Sequence, residues 1–347
     1  MRQLKYVALF TVILGLMAQT VWASKFQDDL QKLATQNAKS YVSPLVTGLG
    51  MSMNSGIYRT AKVHKLLGFD VAINFSGFAV PKDQRTYNFE LPDLSFSVQG
   101  TEVSLSGNEL YGGTNGQGPE VPNLFGDRGT TTLTADQGYA RNKIASDLGA
   151  DPNSQEVDNL VNQYATSLTV PGGIGIRFAG APSAQAAVGL PMGTELQVRY
   201  TPKMDLGHGI GNFSVAGGGL RISIDQFIPI PLFPVDIAAG VFFQKTELGP
   251  VSLNNSILHA EVSRGLPFIT LYGGLGLEKS TMKVDYTITS TGNPALDGTN
   301  VNFKIDGDNQ FRATVGARFK ILIFNLNADY SIGAYSAANV GIGLSFR

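Results

Sequence analysis

The chain has 347 residues and a formal net charge of −1, and only 15% of its residues are charged, against roughly 25% in a typical soluble domain. This balance argues against nucleic acid as a partner, and the absence of cysteine excludes a lipoprotein anchor and a disulfide framework. Glycine (41 residues) and phenylalanine (20 residues) are abundant, which is typical of all-β proteins, whether soluble or membrane-embedded.

The N-terminus has the parts of a secretory signal peptide. Arg2 and Lys5 precede an apolar run from Val7 to Met17, and Val21-Trp22-Ala23 fits a cleavage site. The apolar run is shorter than the ~20 residues that a membrane helix needs. We therefore predict that residues 1–23 are removed and that the mature, mildly acidic chain is secreted to the cell outer membrane.

The next segment, residues 24–66, is predicted to be an N-terminal helix that, with the residues after it, forms a plug segment. Ser24 is a candidate N-cap, apolar residues recur at helical spacing as far as Tyr41, and Pro44 is expected just beyond the helix end. We expect this helix to lie in or below the lumen of the barrel that the remaining sequence predicts.

From residue 67 onward, apolar and polar residues alternate repeatedly. Between Phe69 and Ser76, for example, apolar residues occupy the odd positions and polar or small residues the even ones. In lipid every backbone polar group must pair within the protein, so such strands require a closed barrel. The pattern predicts an all-β fold, an antiparallel transmembrane β-barrel over residues 67–347. It has 12 strands, or 14 if the segments near Phe96–Leu105 and Thr130–Leu133 also span.

Residues from about 106 to 171 are predicted to be a partly helical insertion into the barrel. The stretch from Tyr111 to Gly116 has the composition of a flexible loop. Helices are predicted from Asp136 to Leu148 and from Ser154 to Ser167. An insertion of this size is expected to fold into the lumen or to cap one mouth.

Turn lengths predict the orientation of the barrel. Short connections at Pro191-Met192-Gly193 and Arg264–Pro267 are expected to face the periplasm, and the loops Pro202–Asn212 and Thr246–Asn255 to face outward. The apolar, proline-rich run Phe227–Pro234 is expected either to anchor in the membrane interface or to pack under the barrel.

One long hairpin is predicted near the C-terminus. Odd-numbered apolar residues from Val301 to Phe319 stay in phase across the turn-like segment Asp306–Asn309. This phase favours one long strand, paired with Pro267–Ser290 around a tip at Thr291–Thr299, over a turn at Asp306–Asn309.

The last strand has the pattern of a barrel seam. Val340, Ile342, Leu344 and Phe346 share one face, and small or polar residues share the other. The strand also resembles the C-terminal signal read by the outer-membrane barrel assembly machinery, although Arg347 follows the aromatic residue. This machinery and outer-membrane lipid are therefore the expected partners.

Five motifs stand out along the predicted mature chain: Tyr58–Asp70, Pro122–Gly126, Gly189–Arg199, Gly219–Gln226 and Leu232–Asp236. Together they resemble a domain family of unknown function from secreted proteins of Bacteroidota-type Gram-negative bacteria. The resemblance implies a β-barrel-like outer-membrane protein and carries no catalytic residue. A looser likeness, at the level of the fold, is to long-chain fatty-acid outer-membrane channels, which are barrels with an N-terminal plug.

Polar residues of both charge signs are predicted to line the lumen. Such a lining either forms internal salt bridges that fill a narrow barrel or lines a weakly selective pore. The candidate lumen-lining residues are Asp70, Asn74, Glu195, Gln197, Arg199, His259, Glu261, Arg312, Arg318, Asn327 and Asp329.

No catalytic, cofactor or metal site is expected. The three histidines, His64, His208 and His259, lack the spacing of a metal site. His259, Glu261 and Ser263 share a strand face, but neighbours on one face lie ~7 Å apart, which favours a polar ladder over a hydrolase site. His64 is expected to contact the wall from the plug rather than to act as a proton-linked gate.

These features together predict a monomeric outer-membrane barrel that is not an enzyme and that passively transports a small or hydrophobic solute. The alternatives are a structural or adhesive surface barrel with no open pore, a soluble secreted β-protein, and a lipid-modifying enzyme.

Overall fold

The computed structural model describes residues 35–205, 212–227, 235–287 and 300–346. In chain order its helices and strands are α1 (Thr35–Met53), β1 (Phe69–Ala79), β2 (Thr86–Asn88), β3 (Leu94–Val98), β4 (Thr101–Leu105), α2 (Gly107–Leu110), β5 (Glu120–Pro122), β6 (Thr130–Leu133), α3 (Gln137–Leu148), α4 (Gln155–Tyr164), β7 (Leu168–Pro171), β8 (Phe178–Leu190), β9 (Thr194–Asp205), β10 (Asn212–Ser223), β11 (Asp236–Leu248), β12 (Val251–Gly265), β13 (Ile269–Thr287), β14 (Asn300–Asp306), β15 (Phe311–Ile321), β16 (Phe324–Ile332) and β17 (Ser336–Phe346).

Ten strands in the described ranges close into one antiparallel barrel, in the order β1-β8-β9-β10-β11-β12-β13-β15-β16-β17. The seam is the pairing of β17 with β1, in which every residue from Phe69 to Ala79 has a partner. The all-β antiparallel barrel is confirmed, whereas the count of 12 or 14 strands was wrong. The segments near Phe96–Leu105 and Thr130–Leu133 pair only within the insertion, so they add no strand to the wall.

Side chains alternate between the outer face of the barrel and its lumen. On β1, Val71 and Ile73 point outward and are exposed, whereas Asp70 and Asn74 point inward and are buried. The strands β9, β16 and β17 repeat this pattern, as does β12 from Leu258 to Ser263, with large apolar side chains outside and polar ones inside. The result is an apolar outer surface that surrounds the barrel.

The polarity of the two faces is reversed near one end of the barrel. Outward residues of β13 are apolar as far as Leu277, but beyond it Lys279 is exposed, while Met282 and Val284 are buried inside. Pairing between β12 and β13 continues through this region without a shift in register. The side chains therefore keep their faces, and the end of the barrel beyond Leu277 has the apolar interior and polar surface of a water-soluble sheet.

The preferred long hairpin near the C-terminus is confirmed, because β13 pairs with both β14 and β15. However, Leu277 pairs with Phe311 and Thr281 with Asp306, so one extra residue lies on the β14–β15 side, as in a β-bulge. The bulge places Phe303 inside and Phe311 outside, although their sequence phase is the same. The predicted tip at Thr291–Thr299 lies outside the described residues.

The two mouths of the barrel carry very different connections. At the turn mouth, where β1 begins and β17 ends, residues 191–193, 266–268 and 322–323 form short connections. At the insertion mouth, residues 80–177 connect β1 to β8.

The prediction of a loop over Thr246–Asn255 was wrong, because Gly249 and Pro250 form a tight turn between long strands. The predicted loop Pro202–Asn212 begins as strand, and its residues 206–211, like residues 228–234, lie outside the described residues.

The insertion is longer than expected and has its own core. Its helices begin as predicted, with Asp136 and Ser154 capping the N-termini of α3 and α4. A cluster of buried apolar side chains joins these helices to the β3–β4 hairpin. Asp147 of α3 accepts from the Ser104 backbone and from Lys143, and the hydrogen bond from Lys143 lowers the pKa of Asp147.

Helix α1 lies inside the barrel, where it contacts strands around the ring. The predicted helix from Ser24 to Tyr41 is described only from Thr35 onward, and the expectation that it ends before Pro44 was wrong, because Pro44 lies within α1. Gly48 packs so close to the wall that a Cβ atom there would lie 2.0 Å from ring carbons of Phe78. Among the described helices, none is long and apolar enough to cross a membrane.

Candidate functional site: the plug in the lumen

Residues 35–66, here called the plug, pass through the barrel from the insertion mouth to the turn mouth. Near the start of α1, Asn37 exchanges hydrogen bonds with the backbone of Glu90 in the insertion, and the Tyr41 carbonyl accepts from Leu124. At the other end, His64 contacts Glu195 on the wall. The lumen is therefore occupied along its length by the chain's own N-terminal region.

Two arginines from opposite parts of the wall hold the C-terminal end of α1. Arg199 donates to the carbonyls of Met53 and Ser55, the latter at 3.0 Å, and Arg312 donates to Met51 at 3.0 Å. The last carbonyls of a helix lack partners within the helix and form the negative end of its dipole. Guanidinium groups satisfy these carbonyls and complement the dipole, so the wall recognises this end of α1. Gln244 also donates to Met53, at 2.6 Å.

Close to the turn mouth, five side chains form a continuous buried network. Arg221 joins two carboxylates, with Nη1 2.8 Å from Glu195 and Nε 2.7 Å from Glu261. Each carboxylate also contacts a histidine ring: Nδ1 of His64 lies 2.6 Å from Glu195, and Nδ1 of His259 lies 2.5 Å from Glu261. All five residues are buried apart from the half-buried His64, so these charges depend on one another rather than on water.

The network also binds the plug backbone directly. Nη2 of Arg221 donates to the carbonyl of Thr60 at 2.5 Å. Ser263 accepts from the backbone of Ala61 at 2.9 Å, and its hydroxyl lies 3.1 Å from that of Thr60. If the plug left this region, Arg221 and Ser263 would therefore lose the hydrogen bonds that they make with it.

A third cluster of polar side chains lies on the part of the wall formed by β1, β15, β16 and β17. Asp70 pairs with Arg59 of the plug at 3.2 Å and with Arg318 at 3.6 Å. Asp329 accepts from Tyr272 at 3.2 Å and from Asn339 at 2.8 Å.

The structure places all eleven candidate lumen-lining residues on the inner face, where each is buried. Most of them contact the plug or one another, so they form internal pairs rather than an open lining. Sequence reasoning missed four lumen residues that hold this arrangement: Gln185, Arg221, Gln244 and Glu278. Arg221 shares the inward face of β10 with Gly217 and Gly219, and this run of glycines concealed the alternation that could have identified it.

The prediction that His259 lies too far from Glu261 for a direct contact was wrong. His259 and Glu261 are neighbours on the inner face of β12, yet their side chains lean together and meet at 2.5 Å. The reason is side-chain length, because the ~7 Å spacing applies to the backbone and both side chains extend beyond it. The ring of His259 stacks on Tyr58 of the plug, with centroids 5.1 Å apart. Ser263 is engaged with the plug, not with this histidine.

Several buried polar side chains near this third cluster have no protein partner. Both side-chain polar atoms of Asn74, Asn325 and Asn327 lack one in the structure. An unsatisfied buried polar group costs about 1–3 kcal/mol, so these amides require water or a polar solute. Asn74 and Asn327 flank Gly341, where an added Cβ would lie 2.2 Å from the first and 2.7 Å from the second.

Within the described ranges, no group of three or more His, Cys, Asp or Glu side chains could hold a metal ion. His208 lies outside these ranges.

The fold and the lumen define a class of protein, an antiparallel β-barrel with its own N-terminal segment inside the lumen. Residues 1–346 match the model of a family described as "Family of unknown function (DUF6588)", so the chain belongs to this family. The resemblance to a family of unknown function drawn from its motifs is therefore confirmed. No curated protein matches the chain.

Solved structures that are similar to this chain include three bacterial proteins. The N-terminal β-barrel domain of OprF from Pseudomonas aeruginosa is 14% identical, with 44% of this chain and 96% of that chain covered and a TM-score of 0.24. The toluene transporter TbuX from Ralstonia pickettii is 8% identical (85% and 93% covered, TM-score 0.27). The attachment invasion locus protein Ail from Yersinia pestis is also 8% identical (81% and 99% covered, TM-score 0.23). These likenesses are too distant to add to what the strand pairing shows.

Proposed function

We propose that this protein is an outer-membrane barrel, kept closed by its own N-terminal plug, that holds the insertion at the cell surface. One observation carries the proposal: the buried charges of the lumen bind the plug. Arg199 and Arg312 bind the end of α1, and Arg221 binds Thr60 while joining two wall carboxylates. A barrel whose interior charges are used in this way serves as a rigid anchor for the domain at its mouth.

The outer surface supports placement in a membrane. Outward residues of β13 are apolar or glycine from Ile269 to Leu277, and Lys279 ends the run. At ~3.3 Å per residue and a strand tilt of roughly 40°, this run covers about 20 Å of bilayer, close to the apolar band of known membrane barrels. Bacterial barrels have short periplasmic turns and longer outer loops, so the turn mouth faces the periplasm and the insertion faces outward.

The proposed partners follow from the same features. Outer-membrane lipid covers the apolar surface, and the barrel assembly machinery reads β17, which ends on Phe346 beside β1. The barrel is proposed to act as a monomer. It is also proposed to have no enzymatic activity, because Ser263 is hydrogen-bonded to Thr60 and Ala61 rather than placed beside a base.

A second candidate function is passive transport of a small solute past a displaced plug. The unpartnered amides of Asn74, Asn325 and Asn327 favour it, because they form a polar strip on the wall that requires water. On this hypothesis the strip would line the path that opens when the plug moves away from β1 and β15–β17. The polarity of these amides favours a small polar solute over the hydrophobic solute that the sequence also allowed.

Single-channel recording from the full chain in planar bilayers separates the two candidates. The closed barrel is expected to give no conductance steps, because the plug fills the lumen at both mouths. A double variant, Arg199→Ser with Arg312→Ser, removes the donors that hold the end of α1 and is expected to conduct, which also proves that the bilayer contains protein. Steps from the unchanged chain would contradict the closed barrel and support transport.

A further inference from the structure

The five connections at the turn mouth all expose large apolar side chains. In the described ranges these include Leu67 before β1, Met192 between β8 and β9, Phe227 after β10, Leu266 and Phe268 between β12 and β13, and Leu322 between β15 and β16. Met192 and Leu322 are each 85% exposed. We call these residues the rim. Turns normally carry polar residues or glycine, so a complete apolar rim needs a reason.

Backbone strain shows that the rim is apolar at a cost. Leu67, Met192 and Leu322 have φ angles of 61°, 62° and 54°, in the left-handed region that favours glycine and asparagine. The remaining non-glycine residues with positive φ in the described ranges, Gln99 and Asn115, belong to the insertion and are polar. Glycine would relax the rim turns, yet a long apolar side chain occupies each of these positions.

The insertion mouth provides the contrast. Where β16 turns into β17, Tyr335 is buried beneath the mouth, and burial raises its pKa. Outward positions near that mouth carry the exposed ion pair of Lys245 with Glu247. The insertion mouth therefore has a water-soluble surface. At the turn mouth, by contrast, the apolar outer surface of the barrel continues to the tips of the turns.

Among the described residues, the exposed charges beside the rim are basic. Lys62 and Lys65 lie on the segment that leads from the plug to β1, and Arg264 lies near the end of β12. Two carboxylates beside the rim, Asp225 and Asp236, are half-buried. Asp225 accepts hydrogen bonds from Ser223 and from the backbone of Ile237, and Asp236 lies in the electrostatic range of Lys62. Long basic side chains next to apolar ones are suited to a surface of lipid phosphates, because their stems lie along acyl chains while the charges reach the headgroups.

We propose that the rim docks into the headgroup region of an anionic phospholipid leaflet, with Leu67, Met192 and Leu322 inserted among the upper acyl chains and the adjacent cations on lipid phosphates. This inference rests on the proposed membrane barrel and deepens it, because it fixes the depth of the barrel and the lipid that its turn mouth prefers. Continuity of the rim with the apolar outer surface identifies lipid, rather than a second protein, as the occupant.

Quenching of a single tryptophan by brominated lipid tests the depth. Trp22 is the only tryptophan of the chain and lies in the predicted signal peptide, so the mature chain without residues 1–23 provides one probe at a time. This chain is refolded into phosphatidylcholine vesicles with Leu322→Trp at the rim, Leu275→Trp on the apolar outer surface, or Glu247→Trp at the insertion mouth. We expect bromine near the headgroup end of the chains to quench the rim probe most strongly, bromine deeper in the chains to quench the Leu275→Trp probe, and neither to quench the Glu247→Trp probe.

The possible outcomes separate this inference from the proposed function. A quenched Leu275→Trp probe with an unquenched rim probe would overturn the rim proposal and leave the membrane barrel intact. Absence of quenching at both positions would overturn the membrane barrel as well.

Lipid selectivity is tested with a minor fraction of brominated phosphatidylglycerol in place of the same fraction of brominated phosphatidylcholine. A severalfold stronger quenching of the rim probe by the anionic lipid is expected, and it should be lost in a Lys62→Gln/Lys65→Gln variant. Equal quenching by the two lipids would overturn the proposed preference for an anionic leaflet.

Discussion

Replacement of Arg221 by methionine is expected to lower the free energy of unfolding by about 3–5 kcal/mol. Arg221 is the only cation in direct contact with the carboxylates of both Glu195 and Glu261 among the described residues. Methionine has a similar volume, so the packing changes little, but two buried carboxylates lose their counter-charge and the Thr60 carbonyl loses its donor. The network contributes to stability because it is complete, and removal of its central member leaves uncompensated charges in the lumen.

The measurement is urea unfolding of the purified barrel in detergent, followed by the loss of the compact form on unheated gels. Lys245→Met is the matched control, because Lys245 pairs with Glu247 on an exposed part of β11 and such pairs contribute at most about 1 kcal/mol. If Arg221→Met and Lys245→Met had equal effects, the buried network would not hold the plug.

Gly48→Ala is expected to change from destabilising to stabilising when Phe78 is also replaced by alanine. In the native barrel a Cβ at Gly48 meets the ring of Phe78 at 2.0 Å, and overpacking of this kind costs about 1–3 kcal/mol. Phe78 is fully buried, so Phe78→Ala alone should cost about 3–5 kcal/mol. In that background the methyl group enters the vacated space, and alanine gains up to about 1 kcal/mol over glycine within a helix.

The coupling between the two substitutions is therefore expected to be about 2 kcal/mol or more, measured as a double-mutant cycle by the same unfolding assay. Phe243→Ala provides the control background, because Phe243 points outward and is 59% exposed, so Gly48→Ala should remain destabilising there. Additive effects of Gly48→Ala and Phe78→Ala would show that α1 does not pack against β1 inside the barrel.

Alternation predicted which residues of the wall face inward, because a strand reverses its side chains at every residue whatever the neighbouring strands do. It could not predict the strand count, since short strands such as β3 and β6 alternate too but pair within the insertion. Nor could it separate Phe303 from Phe311, because a bulge changes faces without leaving a mark in the sequence phase. The reversal of polarity beyond Leu277 leaves one mark in the sequence, a change of the apolar residues from odd positions (Leu275, Leu277) to even ones (Met282, Val284).

The contacts between the plug and the wall could not be predicted for a different reason. Arg199 and the carbonyl of Met53 are far apart in sequence, and a backbone acceptor has no sequence signature. Pro44 gave a misleading signal, because proline often follows a helix but here lies within α1, which the surrounding barrel stabilises. The network around Arg221 was missed for similar reasons, since its residues come from β9, β10, β12 and the plug.

A disulfide between the plug and the wall tests the closed barrel most directly. The chain has no cysteine, and the hydroxyl oxygens of Thr60 and Ser263 lie 3.1 Å apart, so a Thr60→Cys/Ser263→Cys variant can form one unique bond. Expressed in a Gram-negative host, this variant is expected to appear in the outer-membrane fraction with the two cysteines joined, as a shift on non-reducing gels. Thr60→Cys/Leu258→Cys, whose second cysteine lies on the same strand but faces outward, should remain reduced. An unjoined Thr60→Cys/Ser263→Cys pair, or recovery of the protein in the soluble fraction, would contradict a membrane barrel filled by its own N-terminal segment.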